Sequence, residues 1–416
     1  MPITGSWTRL SKGAASKDCG DRPSELSWLR RWGKSPAIIG GKPALHAVPE
    51  HLHLRSEIKR LALEAGFDLA GIASAADSNE HEFFPQWIAN GHGGEMSYLG
   101  ARNQEGNFKR ASLANAAPWA RSVLVCALNY NSDQPYSTHA GTTTQGWISR
   151  YAFAERDYHQ VILAKLRQIE AGFVSVCEQA GMGTPRAWCY VDTGPVIERI
   201  FAKYAGIGWI GKNTCILNED FGSWLFLGIM LTSVAIVPDI PPADRCGSCT
   251  RCIEACPTNA FPAPYQLDAS KCISYLTIEK HGSIPRGLRK GIGRQVFGCD
   301  ICQDVCPWNR HAPYSRTPEF AARQPLVNPE LDWLAKLTAE EFRRTFRGTP
   351  VKRAKHAGLL RNAAIAMGNS GEPGFLALLE HLSVDQDAAI AEAAAWALEQ
   401  LRSRLGSDRD QESRGD

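Results

Sequence analysis

Apolar residues recur at two spacings along most of this chain, and the first fifty positions show neither. From Ser56, "SEIKRLALEAGF" places Ile58, Leu61, Ala62 and Ala65 on one helical face, with Ser56 as the expected N-cap. "LAGIAS" reads as a short strand and "SVLVCALNY" (Ser122–Tyr130) as a buried one. "HQVILAKLRQIEAGFVSVCEQAG" (His159–Gly181) has helical spacing and ends at a glycine. "RAWCYVD" (Arg186–Asp192) predicts another strand, running into "TGPVIERIFAKYAG", where Pro195 suits a first helical turn. "CILNEDFGSWLFLGIMLTSV" gives a turn between two strand-like runs. Helices alternating with short strands predict an α/β sheet domain over 52–240.

From about residue 330 the pattern turns helical: "TAEEFRRTF", "KRAKHAGLLRNAAIAMGNSG", "PGFLALLEHLS" and "DAAIAEAAAWALEQLRSRL", joined by "GNSGEP" and "SVDQD". This predicts two HEAT-like repeats within 313–405. Two repeats cannot bury a core alone, so they are expected to pack on the sheet domain or on the segment between. Residues 1–51, rich in Ser, Gly, Pro and basic residues, predict a disordered extension, and 406–416 a charged, frayed tail. Arg30-Arg31 precedes no apolar run long enough for export. The most apolar stretch, "WLFLGIMLTSVAIV" (Trp224–Val237), falls short of the roughly 18 residues of a membrane span and fits buried strands. A cytoplasmic location is expected.

Composition adds little until the cysteines. The 416 residues, 44% hydrophobic and 21% charged, describe an ordinary soluble protein of two or three domains. The net charge of +3 is small, so its distribution matters more. Arg343, Arg344, Arg347, Lys352, Arg353, Lys355 and Arg361 form a run without an acidic residue, a pattern suited to phosphate. Of 13 cysteines, Cys19, Cys126, Cys177, Cys189 and Cys215 are scattered and read as small core residues. With no secretory apolar segment ahead of them, a disulfide scaffold is not expected.

The other eight lie between Cys246 and Cys306. Cys246, Cys249, Cys252 and Cys256, followed by Pro257, fit the bacterial ferredoxin run C-x2-C-x2-C-x3-C-P. The second run, Cys299, Cys302, Cys306 and Pro307, lacks its first member, for which Cys272 is the substitute. In two-cluster ferredoxins the fourth cysteine of each run serves the other cluster. The expected sets are therefore Cys246, Cys249, Cys252 and Cys306 for one [4Fe–4S] cluster, and Cys256, Cys272, Cys299 and Cys302 for the other. Structural zinc also takes four thiolates, but crossed runs are the more specific signal. Such a segment (241–312) accepts electrons from an external one-electron donor, and the sheet domain ahead of it is where they would be used.

Three blocks in this order resemble the epoxyqueuosine reductases over about 52–400: "YVDTGPVIERIFAKYAGIGWIGKNTCILNEDFGSWLFLG", the paired cysteine runs, and "VKRAKHAGLLRNAAIAMGNSG". The resemblance implies a mixed α+β, α/β fold: a corrinoid-binding sheet domain, a ferredoxin-like two-cluster segment and C-terminal HEAT-like helices. It implies reduction of the epoxide of epoxyqueuosine to the alkene of queuosine, at the wobble position of tRNAs with GUN anticodons (those for Asp, Asn, His and Tyr), by a cytoplasmic monomer using cobalamin. Position alone leaves Asp192 equally a helix N-cap or an acid facing the pocket beyond a strand's carboxyl end. The match to the family's "YVDTGP" block implies the acid, away from water and with a raised pKa. Lys212, Asn213, Thr214 and Cys215, in glycine-rich "GIGWIGKNTC", are the expected cobalamin contacts, and Asp300 is expected where cluster and corrin meet. No D-x-H-x-x-G run is present, and His159 of "RDYHQ" has the wrong spacing, so base-off cobalamin without a protein histidine is expected. Lys352, Arg353, Lys355 and Arg361 are expected on the anticodon stem-loop, with the wobble nucleoside splayed from its stack. A reductive dehalogenase would use the same cofactors but needs neither the helical repeats nor the basic run, and a bare electron carrier would need neither Asp192 nor cobalamin.

Overall fold

The structure, a computed structural model, describes Glu50 to Glu412 apart from residue 140, with side chains between 53 and 406. The extension expected over 1–51, and Cys19 within it, lie outside the described residues except for the first turn of a helix. That helix, α1 (Glu50–Glu64), begins before Ser56, which sits inside it and bonds the His53 carbonyl rather than capping.

Next in chain order come β1 (Leu69–Ser74), α2 (Asn79–Ala89), β2 (Ser122–Asn129), β3 (Trp147–Ile148), α3 (Tyr158–Gln179), β4 (Ala187–Tyr190), α4 (Glu198–Tyr204), β5 (Trp209–Ile210), β6 (Ile216–Leu217) and β7 (Leu225–Thr232). Four of these strands form one sheet in the order β1-β2-β7-β4. Every pairing in it is antiparallel, with Cys126 opposite Gly228 and Tyr190 opposite Ile229. The rule that ligands sit beyond carboxyl strand ends belongs to parallel sheets and does not apply here.

All eight β2 residues are buried because the sheet is covered on both faces. Leu124, Cys126 and Leu128 meet Ile58 of α1 and Ile162 and Leu166 of α3. Val123, Val125 and Ala127 meet Phe201 and Ala202 of α4 on the other face. The alternation is the ordinary period of two, hidden in the sequence because both faces are apolar. Two glycines let the layers close. A Cβ on Gly228 would come within 2.7 Å of Ile162, and one on Gly71 would meet the Ala205 carbonyl.

The cysteine-rich segment carries α5 (Arg251–Glu254), α6 (Ile273–Ile278), α7 (Arg286–Ile292), β8 (Gln295–Phe297) and α8 (Ile301–Asp304). Strand β8 pairs in parallel with β3 of the preceding region. Helices α9 (Leu331–Lys336), α10 (Ala339–Thr345), α11 (Lys355–Ser370), α12 (Leu376–Leu382) and α13 (Ala388–Glu412) follow. They share one core with Ile273, Leu276, Val296 and Phe297 of the cysteine segment. Of the tail expected over 406–416, the backbone is helical to Glu412, and 413–416 lie outside the described residues.

Helix α11 is buried on most sides and turns polar side chains onto the cysteine segment. Asn362 Nδ2 donates to the Thr277 and Val296 carbonyls at 2.8 and 2.9 Å. Seven residues on, on the same face, Asn369 donates to the Arg289 and Gly293 carbonyls at 2.9 and 3.0 Å. Buried carbonyls between helices need such partners.

Candidate active site

Beyond β4 the chain does not enter a helix at once. Asp192 has φ 56, in the left-handed region few non-glycine residues adopt. Helix α4 starts only at Glu198, with Ile197 as its N-cap. Asp192 therefore caps nothing, and Pro195 precedes the helix rather than opening it. Asp192 Oδ2 accepts a 3.0 Å hydrogen bond from the Tyr158 hydroxyl and lies 4.0 Å from His159 Nε2. His159 Nδ1 is 2.6 Å from Asp157 Oδ1, and Asp157 Oδ2 is 3.6 Å from Lys352 Nζ. Asp157 is itself the N-cap of α3, which fixes this row at a helix start. Tyr158 is held flat on Phe226, with ring centroids 4.2 Å apart. Its burial and the Asp192 charge keep the phenol protonated. The Asp192 side chain is 68% exposed. The chain's own atoms leave the carboxyl open toward a large cavity.

That cavity has a volume of about 2050 Å³. Ligand pockets usually run to ~300–1000 Å³, so this one suits a guest larger than a drug-sized molecule. Asp192, Tyr158 and His159 line it, with Tyr98 and Trp188, Glu198 and Trp209, Thr214, Cys272, Lys352 and Arg353. Two wall atoms, Trp209 Nε1 and Glu198 Oε1, are buried without a hydrogen-bond partner among the described residues. Unsatisfied polar atoms on a cavity wall are positions a bound molecule can complete.

Of the expected cobalamin contacts only Thr214 lies on this cavity, at φ 63, with its carbonyl accepting from Arg199. The others are turned toward the cysteine loops. Lys212 Nζ donates to the Gly247 and Cys249 carbonyls at 2.7 and 2.9 Å. Asn213 reaches the Cys302 carbonyl at 3.4 Å, and the Cys215 thiol contacts that of Cys302. Asp300 is buried, and its Oδ2 accepts from the Arg150 amide at 2.7 Å and from Trp147 Nε1 at 3.1 Å. These four side chains brace the cysteine segment against the sheet domain.

None of the eight cysteines of that segment is paired in a disulfide. The proximal pairs cross between the two runs. Burial raises Cys306 to about 12, with Cys252 and Cys246 adding to it, and burial raises Cys252 to about 11, with Cys246 and Cys249 adding. Burial likewise raises Cys299, whose neighbours are Cys272 and Cys256. Thiols so disfavoured as bare anions are stabilised as thiolates by a cationic metal centre.

The basic run divides. Lys352 and Arg353 sit at the cavity rim, 59% and 55% exposed, Arg353 paired with Glu279 and Lys352 with Asp157. Lys355 is exposed at the start of α11, at φ 58. Arg361 is corrected as a phosphate contact. It is 2% exposed, and its guanidinium donates to the Leu276, Lys280 and Gly282 carbonyls. A charge spacing shows cations but not which of them face inward. Glu198 and Tyr158 were not singled out from sequence. Tyr158 lies in the quoted "RDYHQ" and Glu198 in "PVIER", but their burial comes from residues distant in the chain.

Eight thiols in crossed runs, beside a cavity holding an aspartate and a row of ionisable groups, are the makings of an iron–sulfur oxidoreductase. Residues 245–309 match the model of a 4Fe-4S double cluster binding domain, so two such clusters are its cofactors. Residues 110–193 match the family model described as epoxyqueuosine reductase QueG. The epoxyqueuosine reductase of Xanthomonas campestris pv. campestris is 38% identical over 362 residues, covering 86% of this chain and 99% of that protein. A crystal structure of epoxyqueuosine reductase with an epoxyqueuosine-modified tRNA-Tyr stem loop aligns at TM-score 0.74 and 30% identity, over 84% of this chain and 91% of that one. The Bacillus subtilis enzyme, in a structure whose catalytic aspartate loop is swung out of the active site, aligns equally at 0.74 and 30%, with the same coverage. The chain belongs to the epoxyqueuosine reductase family. No helix among the described residues is long and apolar enough to cross a membrane.

Proposed function

We propose that this chain reduces the epoxide of epoxyqueuosine to the alkene of queuosine at the wobble position of tRNAs with GUN anticodons (those for Asp, Asn, His and Tyr). The carrying observation is that one cavity is lined together by Asp192, by the cluster-segment thiol Cys272, and by the cations Lys352 and Arg353. Acid, electron supply and phosphate attraction thus open on one space. In this reading residues 52–240 form the corrinoid-binding domain, 241–312 the two-cluster domain and 313–405 a HEAT-like tRNA-binding region.

The cavity's size and its unpartnered wall atoms fit a macrocycle with polar arms, and cobalamin is the cofactor we assign to it. Bound cobalamin supplies a strongly reducing, nucleophilic cobalt for two-electron chemistry. We assign it base-off, without a protein histidine on cobalt. His159, the cavity-lining histidine among the described residues, is engaged with Asp157 through Nδ1. Cys246, Cys249, Cys252 and Cys306 would hold one [4Fe–4S] cluster and Cys256, Cys272, Cys299 and Cys302 the other, supplying electrons singly from an external donor to a monomeric enzyme.

The chain's own part is positioning and proton handling. Asp192 passes a proton to the epoxide oxygen, and the Tyr158 hydroxyl orients its Oδ2. Asp157, accepting from His159 Nδ1, keeps Nε2 directed at Asp192. Lys352, Arg353 and Lys355 attract the anticodon backbone, and the nucleoside leaves its stack to enter the cavity. The aspartate catalytic loop of the Bacillus subtilis enzyme, swung out of the active site in that structure, supports the role of Asp192 in its irregular, exposed turn. The test is anaerobically reconstituted protein with cobalamin and a chemical reductant, offered tRNA carrying epoxyqueuosine. Queuosine in the digested tRNA is the expected result, and unchanged epoxyqueuosine refutes the reading.

A further inference from the structure

Glu198 lies in the first turn of α4, on the wall of the cavity that Asp192 faces. Its Oε1 is buried and has no hydrogen-bond partner among the described residues, while the residue as a whole remains half-buried. The carboxyl therefore has one oxygen shut in and an edge on the cavity. Its neighbourhood does not neutralise it by pairing. The charged groups that bear on it are Asp192, which repels a second negative charge, and the guanidiniums of Arg199 and Arg110, with its own backbone amide also favouring the anion. Both arginines are engaged elsewhere, Arg199 on the Thr214 carbonyl and Arg110 on the Tyr98 and Gly194 carbonyls. On the sheet side Tyr190 presses close, its hydroxyl also unpartnered and its own ionisation opposed by Glu198. A buried carboxyl without a salt bridge keeps its proton. Burial first, then the Asp192 charge, lifts Glu198 to about 7.

The reaction requires a second acid. Turning an epoxide into an alkene breaks two C–O bonds and forms a C=C bond. It takes in two electrons and two protons and releases water. Asp192 carries one proton per turnover. The second must come from another group on the cavity or from solvent, which substrate and cofactor would displace. We infer that Glu198 is the second proton donor of the cavity, delivering the proton with which the epoxide oxygen leaves as water. The two carboxyls then divide as acid pairs do when their surroundings differ, one exposed and one buried. The inference rests on the proposed reduction of epoxyqueuosine.

The test is E198Q in the full chain, reconstituted with iron, sulfide and cobalamin. The amide matches the carboxyl in shape and carries no exchangeable acid. We expect turnover to fall by about 10²-fold or more, with unchanged affinity for cobalamin and for the modified tRNA. The parent's rate should decline as pH rises through neutrality, where Glu198 loses its proton, and this limb should vanish in E198Q. An infrared titration of the apoprotein supplies a readout independent of turnover: a carboxylic-acid carbonyl band that bleaches across neutral pH in the parent and loses the Glu198 share of its intensity in E198Q, the buried Asp304 carboxyl also titrating near 7. Parent-like turnover in E198Q overturns the inference. So does lost cobalamin binding, which would make Glu198 a cofactor contact, and so does a parent without the band. A parent that never reduces epoxyqueuosine sinks the underlying reaction, whereas an active parent beside an unaffected variant sinks only the role of Glu198.

Discussion

Replacing Arg361 by Met should cost this protein stability and leave its affinity for RNA phosphate untouched. The guanidinium donates to three carbonyls, at 2.9 Å for Leu276 and Lys280 and 2.5 Å for Gly282. It also reaches Asn362 Oδ1 at 2.9 and 3.1 Å, which turns the Asn362 amide so that its Nδ2 meets Thr277 and Val296. Methionine fills the length and strands the three acceptors. At ~1–3 kcal/mol for each buried acceptor left unmade, the loss is roughly 3–9 kcal/mol. The parent meets a cost of its own in burying that charge, seen in an Arg361 pKa pulled down by burial to about 10. Part of the loss is thereby offset, and we expect about 3–5 kcal/mol. Urea unfolding of the anaerobic protein, followed by cluster absorbance and tryptophan fluorescence, should show a lower midpoint on both probes. In parallel, the slope of log K for tRNA against log salt should match the parent's. A phosphate contact at Arg361 would instead reduce that slope by roughly 0.7–0.9. An unshifted midpoint together with a reduced slope would refute the structural assignment of this side chain.

Other expectations follow the same geometry. Asp192→Asn should retain both clusters and cobalamin yet lose most turnover, since the amide keeps the Tyr158 contact and cannot release a proton; near-parental rates would show that another group is the acid. Anaerobic preparations should hold about eight irons per chain, and Cys272→Ala about four, by iron assay; unchanged iron excludes Cys272 as a ligand. Lys352→Ala with Arg353→Ala and Lys355→Ala should weaken tRNA binding at low salt and flatten the salt slope, leaving the cluster and corrin spectra as they were. Lys352 and Arg353 already face Asp157 and Glu279, so the slope should change by less than three full contacts would give; an unchanged slope excludes these residues from the phosphate surface.

What could be read from the sequence follows from how local each signal is. The cysteine runs were legible because their spacings lie within a few residues of the chain. The strands were legible as apolar runs, but not their direction, since an apolar strand reads alike in parallel and antiparallel sheets. The hydrogen bonds of Lys212 and Asn213 were not legible because their acceptors lie 35 to 89 residues away, in loops whose position only the fold decides. Arg361 shares a basic run with Lys352 and Arg353, yet α11 turns it inward while they stay outside. Asp192 was singled out through its motif, although the turn that exposes it differs from the helix start expected there. Glu198 gave no signal, because a glutamate at a helix start is common and only its unpartnered burial distinguishes it.

The hydrogen bond from Asn362 to the Val296 carbonyl also orders events during synthesis. Val296 lies in the strand directly ahead of Cys299 and Cys302, and its partner comes 66 residues later. At ~5–20 residues per second that interval is roughly 3–13 s on the ribosome, and α11 must then clear the exit tunnel before it can dock. Until it does, the loop bearing Cys299 and Cys302 is held by partners already made, among them β3, Trp147 and Arg150 through Asp300, Asn213 at the Cys302 carbonyl and Thr277 at the Gly298 amide. The nascent chain thus shows its first four cysteines to the cell's cluster-delivery machinery well before the second binding loop is finished. A chain truncated ahead of α11 would leave the Val296 carbonyl, beside the second cysteine loop, without its Asn362 partner.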